Sequence, residues 1–243
     1  LGMYRVNAPL DGESPEIGRI RAFTPGWLEN ESVFLHMHYK FLLETLRSGL
    51  AAEFFADLRR GLVAFRDPAQ YGRSPLENSS FIASSRFADA DARGAGFVAR
   101  LSGATAEWIS MVLHMGLGAT PFRLVDGALR FEPEPTIARW LFTERDEGPF
   151  AAGSFGLRLF GSCWVVYANP RHRDTFGVPR LAPSAFELEY RDASRVRHEG
   201  SWLPQTLALD LRAGRLSRID IELAEVVARD QPLPADAGPS SSR

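Results

Sequence analysis

The chain has 243 residues, a formal net charge of -2 and a single cysteine, Cys163. Charge this close to neutral gives no reason to expect nucleic acid or an anionic membrane surface as a partner, and a lone cysteine excludes an internal disulfide framework and a cysteine-rich zinc site. Hydrophobic residues at 45% against 24% charged fit a globular chain, in which no apolar run approaches the ~20 residues of a membrane span.

The chain opens Leu1-Gly2-Met3, which predicts the tail of something longer, and it carries no basic-then-apolar leader, which makes a cytoplasmic location the expectation. The first half reads as helical. Residues 32–48 place Val33, Phe34, Met37, Phe41 and Leu42 near a 3.6-residue period and stop at Gly49. A second helix is expected over 51–65, with Phe54, Phe55, Leu58 and Leu62 inward and Asp67-Pro68 as its stop. A third opens at Ser102 and runs through Trp108, Ile109, Val112 and Met115 to Gly116 and Gly118. Residues 67–100 between them read as a long polar loop, a kind of segment that is usually functional or disordered.

Beyond Gly118 the period changes to two. Asp126-Gly127 sits between alternating segments as a hairpin turn, and a second strand pair is expected to turn at Gly161-Ser162. Strands are expected over 186–190 and 217–226, giving an antiparallel β half, either a sandwich or a sheet packed on helices. The domain reading is therefore 1–118, 119–231, and a disordered tail over 232–243.

Three segments carry candidate chemistry. Thr24-Pro25-Gly26-Trp27-Leu28-Glu29-Asn30 turns into the first expected helix, where Glu29 and His36 stand close to two turns apart and can share a face. A carboxylate, an amide and an imidazole along one wall suit a sugar ring and an anion. The same residues also serve a plain helix start, with Asn30 or Ser32 as cap and Glu29 at its positive end. His36 and His38 point roughly 200° apart at ~100° per residue, so they cannot chelate one metal, and no metal site is expected. The second segment, Arg100 to Trp108, opens a helix at Ser102-Gly103 with free backbone N–H groups. Thr105 could add a donor and Arg93 or Arg100 charge, making either a phosphate site or an ordinary serine cap. The third, Tyr71 to Ser80, is dense in hydrogen-bonding side chains and fits a carbohydrate cleft or a self-bonded surface loop. Trp27 and Trp108 are either sugar-stacking platforms or core. No GxSxG elbow, P-loop or GxGxxG is present, and spacing singles out no glycosidase pair among Glu29, Glu77 and Glu107.

Together the segments resemble glycoside hydrolase family 94, the cellobiose-phosphorylase-like enzymes. Pro25, Gly26, Glu29, Asn30, Val33, Phe34 and His36 are similar in register to its Pro-Gly-x-Lys-Glu-Asn-x-x-(Ile/Val)-Phe-x-His stretch, and Arg100-Leu101-Ser102-Gly103-Ala104-Thr105 looks like its Trp-Leu-Thr-Gly-Thr-Ala segment. Leu28 stands where the family has Lys, and Ser102 where it has Thr. The phrases YGRSPLENSSF and GFVARLSGATAEW look most like the long-chain subgroup acting on β-1,2-glucans.

The resemblance implies an α+β multidomain fragment, the last helices of an (α/α)6 barrel followed by an antiparallel β domain. It implies inverting phosphorolysis of a β-glucoside to an α-sugar 1-phosphate, with inorganic phosphate as co-substrate and no other cofactor. His36, Ser102 and Gly103 would bind phosphate, while Glu29, Asn30 and Glu77 would contact the β-linked gluco-oligosaccharide. The family's general-acid Asp lies upstream of the Pro-Gly stretch and nothing before Thr24 resembles it, so no catalytic residue is assigned and this chain alone is expected not to turn over. A homodimer stays open. The alternatives are an inverting hydrolase on the same scaffold and a non-catalytic glucan-binding module.

Overall fold

The computed structural model describes residues 1–98 and 103–226; Ser102 and the expected tail over 232–243 lie outside the described residues. The class is α+β, in two compact units: Leu1–Arg123 with Glu132–Thr136, and Leu124–Phe131 with the chain from Ile137 onward. Among the described residues no helix is long and apolar enough to cross a membrane.

The first unit contains β1 (Val33–Phe34), α1 (Leu35–Arg47), α2 (Ala51–Gly61), α3 (Pro68–Tyr71), β2 (Phe81–Ile82), β3 (Gly96–Phe97) and α4 (Gly103–Leu117). Helix α1 packs against both α2 and α4. It begins three residues later than the periodicity predicts, because Val33 and Phe34 pair with Ile82 and Phe81 of β2 as a short antiparallel strand. Its buried stripe is Leu35, His38, Tyr39, Leu42, Leu43 and Leu46, the i, i+3, i+4 pattern of one helix face. Met37 and Phe41, expected inward, are 40% and 49% exposed. The stripe runs through His38 and Tyr39, whose polar tips disguise bodies that pack like hydrophobes.

Of the stretch 67–100, residues 67–98 are more ordered than expected, and 99–100 lie outside the described residues. Asp67 accepts a hydrogen bond from the Ala69 N–H at 2.9 Å and Pro68 takes the first helical position, so the pair starts α3 rather than ending α2. Strands β2 and β3 then complete a three-stranded sheet in the order β1-β2-β3.

In chain order follow β4 (Phe122–Val125) and β5 (Ala128–Phe131), joined at Asp126-Gly127 as expected. The second unit's main sheet has β6 (Ser154–Leu159), β7 (Cys163–Ala168), β8 (Arg180–Tyr190), β9 (Arg195–Glu199) and β10 (Leu216–Val226), with α5 (Gln205–Arg212) before the last strand. The β6–β7 turn centres on Phe160-Gly161, both at positive φ, one residue earlier than predicted, with Leu159 facing Cys163.

The order β6-β7-β10-β8-β9 corrects the all-antiparallel expectation, since β10 runs parallel to β7. Strands β9 and β10 both run antiparallel to β8, so the chain must return between them, and α5 makes that return. Sequence reading missed α5, although Pro204 before it and Gly214 after it are the ordinary punctuation of a short helix. The sheet is held by buried side chains on its central strands, among them Val165, Tyr167, Phe186, Leu188, Ile219 and Ile221.

Candidate functional site

All the candidate site residues that the structure describes belong to the first unit. The loop from Thr24 to Asn30 closes on itself. Trp27 N–H donates to the Thr24 carbonyl at 3.0 Å, Gly26 N–H to the Asn30 carbonyl at 2.8 Å, and Asn30 N–H to the Trp27 carbonyl at 3.1 Å. Trp27 is used as a packing ring, stacked on Phe97 at 3.6 Å between centroids and on Phe87 at 5.0 Å. Asn30 is buried and its side-chain amide donates to the Phe23 carbonyl at 2.7 Å, inside the loop. Neither Asn30 nor Ser32 caps α1; the residue before that helix is Phe34, and the Leu35 N–H donates instead to the Ser80 carbonyl at 3.0 Å.

Glu29 pairs with Arg19 at 2.8 Å. Because α1 starts only at Leu35, the two-turn spacing that would set Glu29 on one helical face with His36 does not apply. Its neighbour Glu31, which sequence reading passed over, is 1% exposed and receives the guanidinium groups of Arg5 and, at 3.1 Å, Arg86. Its backbone N–H donates to Asn7 Oδ1 at 2.8 Å, so one buried carboxylate ties the segment around Arg5 and the loop around Arg86 to the Pro-Gly turn.

His36 lies in the first turn of α1 and meets the first turn of α4. Its Nε2 is 3.2 Å from Glu107 Oε1, with the two side chains 27% and 17% exposed. The imidazole lies flat over Gly103: a Cβ at that position would fall 2.6 Å from His36 Nε2 and nearer still to Cε1 and Nδ1. Replacing Gly103 with Ala should therefore displace the ring and break its contact with Glu107. Stability should fall by about 1 kcal/mol, the low end of the cost of overpacking, because a partly exposed side chain rather than backbone must give way. The displacement is read from the His36 ring resonances; an unmoved ring would refute the packing.

On another face of α4, Asn78 Nδ2 donates to Thr105 Oγ1 at 3.2 Å, and the Tyr39 hydroxyl donates to Asn78 Oδ1 at 3.3 Å while accepting from the Val63 N–H at 3.0 Å. Burial raises the Tyr39 pKa far above its ordinary value, so the hydroxyl stays protonated as this chain of bonds requires. Trp108 lines a cavity of about 110 Å³ together with Tyr39, Pro75 and Asn78.

The remaining candidates are placed elsewhere. Within Tyr71 to Ser80 the Tyr71 hydroxyl donates to the Glu77 carbonyl at 2.7 Å and accepts from the Ser79 N–H at 2.9 Å, and Arg73 Nη1 reaches Glu77 Oε1 at 3.4 Å. That is largely the self-bonded loop, with Asn78 turned towards α4. Arg93 Nε donates to the Phe87 carbonyl at 2.8 Å. Burial pushes the Cys163 thiol up to about 11, which keeps it protonated and unreactive at neutral pH. Among the described residues no group of three or more His, Cys, Asp or Glu is placed to hold a metal ion.

The structure thus brings His36, Gly103 and Glu107 together, while Thr105, two residues from each of the latter on α4, bonds Asn78 on another face. The His36–Glu107 contact joins residues 71 apart in the chain, and no local pattern announces it. Compared with known proteins, the chain matches no family model and no curated sequence.

Proposed function

We propose that this chain is the C-terminal portion of a cytoplasmic inverting glycoside phosphorylase similar to those of glycoside hydrolase family 94. The enzyme would cleave a β-linked gluco-oligosaccharide with inorganic phosphate and release an α-sugar 1-phosphate. Its helices would be the last of an (α/α)6 barrel, and the reading rests on the resemblance together with one observation. The His36 imidazole lies against Gly103 at the amino end of α4, so the two segments that the resemblance assigns to phosphate are neighbours in space. The positive end of a helix favours an anion, and an imidazole beside it adds a hydrogen-bonding side chain.

In this reading phosphate takes the place of the water and general base of an inverting hydrolase. One of its oxygens attacks the anomeric carbon while a carboxylic acid on a preceding part of the protein protonates the departing glycosidic oxygen. His36, the Ser102 hydroxyl and the Gly103 N–H would orient the phosphate. Glu29 and Glu77 would face the sugar side, Glu29 exchanging Arg19 for sugar hydroxyls, while the buried Asn30 holds the loop that carries Glu29.

The test is release of sugar 1-phosphate from β-1,2-gluco-oligosaccharides by the whole protein that carries this chain, with and without phosphate. Phosphate-dependent product is expected, and His36→Ala should lower its rate by about 10²-fold, the usual cost of removing one donor to a charged reacting group. Free sugar released without phosphate would make the protein a hydrolase. Saturable oligosaccharide binding without product would make it a binding module.

A further inference from the structure

We propose that two copies of this chain pair through α2, the helices antiparallel about a two-fold axis at Ala56, with Glu53 of each copy meeting Arg60 of the other. This surface uses no residue of the candidate site and is independent of the phosphorylase reading.

Ala52, Glu53, Ala56, Arg59 and Arg60 are the exposed residues of α2, while Phe54, Phe55 and Leu58 are buried on its other side. At ~100° per residue the exposed set falls within one stripe about 120° wide. Glu53 and Arg60 stand two turns apart on the same edge of that stripe, one towards each end of the helix, with Ala56 between them. A two-fold axis crossing the stripe at Ala56 reverses the helix and keeps the edge. It therefore sets Glu53 of one copy beside Arg60 of the other, and does so twice. A single methyl at the crossing lets the two axes approach to the ~8 Å of close helix pairs.

The surfaces at the two ends of α2 match in the same sense. Towards its amino end a groove of about 600 Å³ is lined by Tyr4, Phe41, Glu44, Leu50, Glu53 and Asp57, and among the described residues every charged group in it is acidic. Towards its carboxyl end a groove of about 480 Å³ sets Arg59, Arg60 and Arg66, with Phe65, against the acid Asp67. Antiparallel pairing lays each acidic groove against a basic one. Glu53 in the first turn and Arg59 and Arg60 in the last also suit the helix dipole. The dipole does not call for apolar side chains in water, yet Phe41 and Leu50 at one end and Phe65 at the other are each about half exposed. Pairing covers them. Among the described residues neither Glu53 nor Arg60 makes an ion pair within the chain.

The experiment measures the monomer–dimer constant by sedimentation equilibrium for the wild-type chain, Glu53→Arg, Arg60→Glu, and an equimolar mixture of the two variants. The wild type should dimerise reversibly, and more weakly as salt rises. Each variant alone brings two like-charge contacts together and should raise the dimer Kd by about 10²-fold or more, roughly tenfold for each contact. In the mixture the Glu53→Arg copy meets the Arg60→Glu copy with opposite charges at both contacts, so dimers should return near wild-type affinity. That recovery also shows that neither variant is merely misfolded. A monomeric wild type would overturn the inference. So would a dimer that neither substitution weakens, or two weakened variants that fail to recover when mixed. None of these outcomes bears on phosphate-dependent release of sugar 1-phosphate, so the pairing and the proposed function stand or fall separately.

Discussion

Gly26→Ala should lower the stability of the first unit by about 3 kcal/mol, adding the cost of forced overpacking to that of a left-handed backbone for an L-residue. Gly26 has φ +85°, and a Cβ there would lie 2.7 Å from Phe87 Cα and 2.8 Å from the Arg86 carbonyl carbon, with the Phe87 nitrogen nearer still. These are backbone atoms, which no rotamer change can move. They also belong to a bonded junction: the Ser84 N–H donates to the Gly26 carbonyl at 3.2 Å, and the Phe87 N–H to the Ser84 carbonyl at 3.1 Å. Pushing the loops apart would pull Arg86 from Glu31 and open the Trp27–Phe87–Phe97 stack. Gly49→Ala is the control, since Gly49 has φ +78° but nothing within 4 Å of an added Cβ; it should lose only the ~1–2 kcal/mol of the backbone conformation. Urea denaturation of both variants checks the pair. Equal losses would mean that the close approach at Gly26 contributes nothing.

The first unit should also weaken as pH falls from about 6.5 to 4. His38 is 2% exposed on the inner face of α1, and burial pushes its pKa down to about 4, although the Gly61 backbone and the Asp57 carboxylate act in the opposite direction. In the unfolded chain the same imidazole takes a proton near 6.5. Between those two values the unfolded state binds more protons than the folded one, so stability rises with pH across the window. It is fully present above pH 6.5 and lost progressively down to pH 4, by about 3 kcal/mol in all. Carboxylates titrate near the lower end of the same range, so the diagnostic quantity is the difference between the wild type and His38→Gln, which cannot titrate there. The variant should show a flatter profile between pH 6.5 and 5. A wild-type slope no steeper than the variant's would mean that His38 is solvated in the fold.

His36 and His38 stand two residues apart on one helix and have different fates, which shows where reading from sequence reaches its limit. Spacing alone says that they point in different directions. It does not say which one is buried, because that depends on Gly61 and Asp57 of α2 for His38 and on Gly103 and Glu107 of α4 for His36. Glu31 is similar. As one acidic residue among several in a polar loop it carries no local mark, and only the approach of Arg5 and Arg86 makes it a buried hub.

What the sequence determined by itself is whatever depends on neighbours along the chain. The three main helices of the first half, the switch to alternating strands after Gly118 and the hairpin at Asp126-Gly127 all follow from periodicity and turn chemistry, which act within a few residues. The tertiary structure decided whatever depends on partners distant in sequence. Val33 and Phe34 became a strand because Phe81 and Ile82 were there to pair with them. Met37 and Phe41 face outward because the packed side of α1 passes through His38 and Tyr39. The strand β10 runs parallel to β7 because α5 returns the chain across β8. The candidate site belongs to this second class, since hydrogen bonds and close approaches between residues such as His36, Gly103 and Glu107 exist only once two helices have packed.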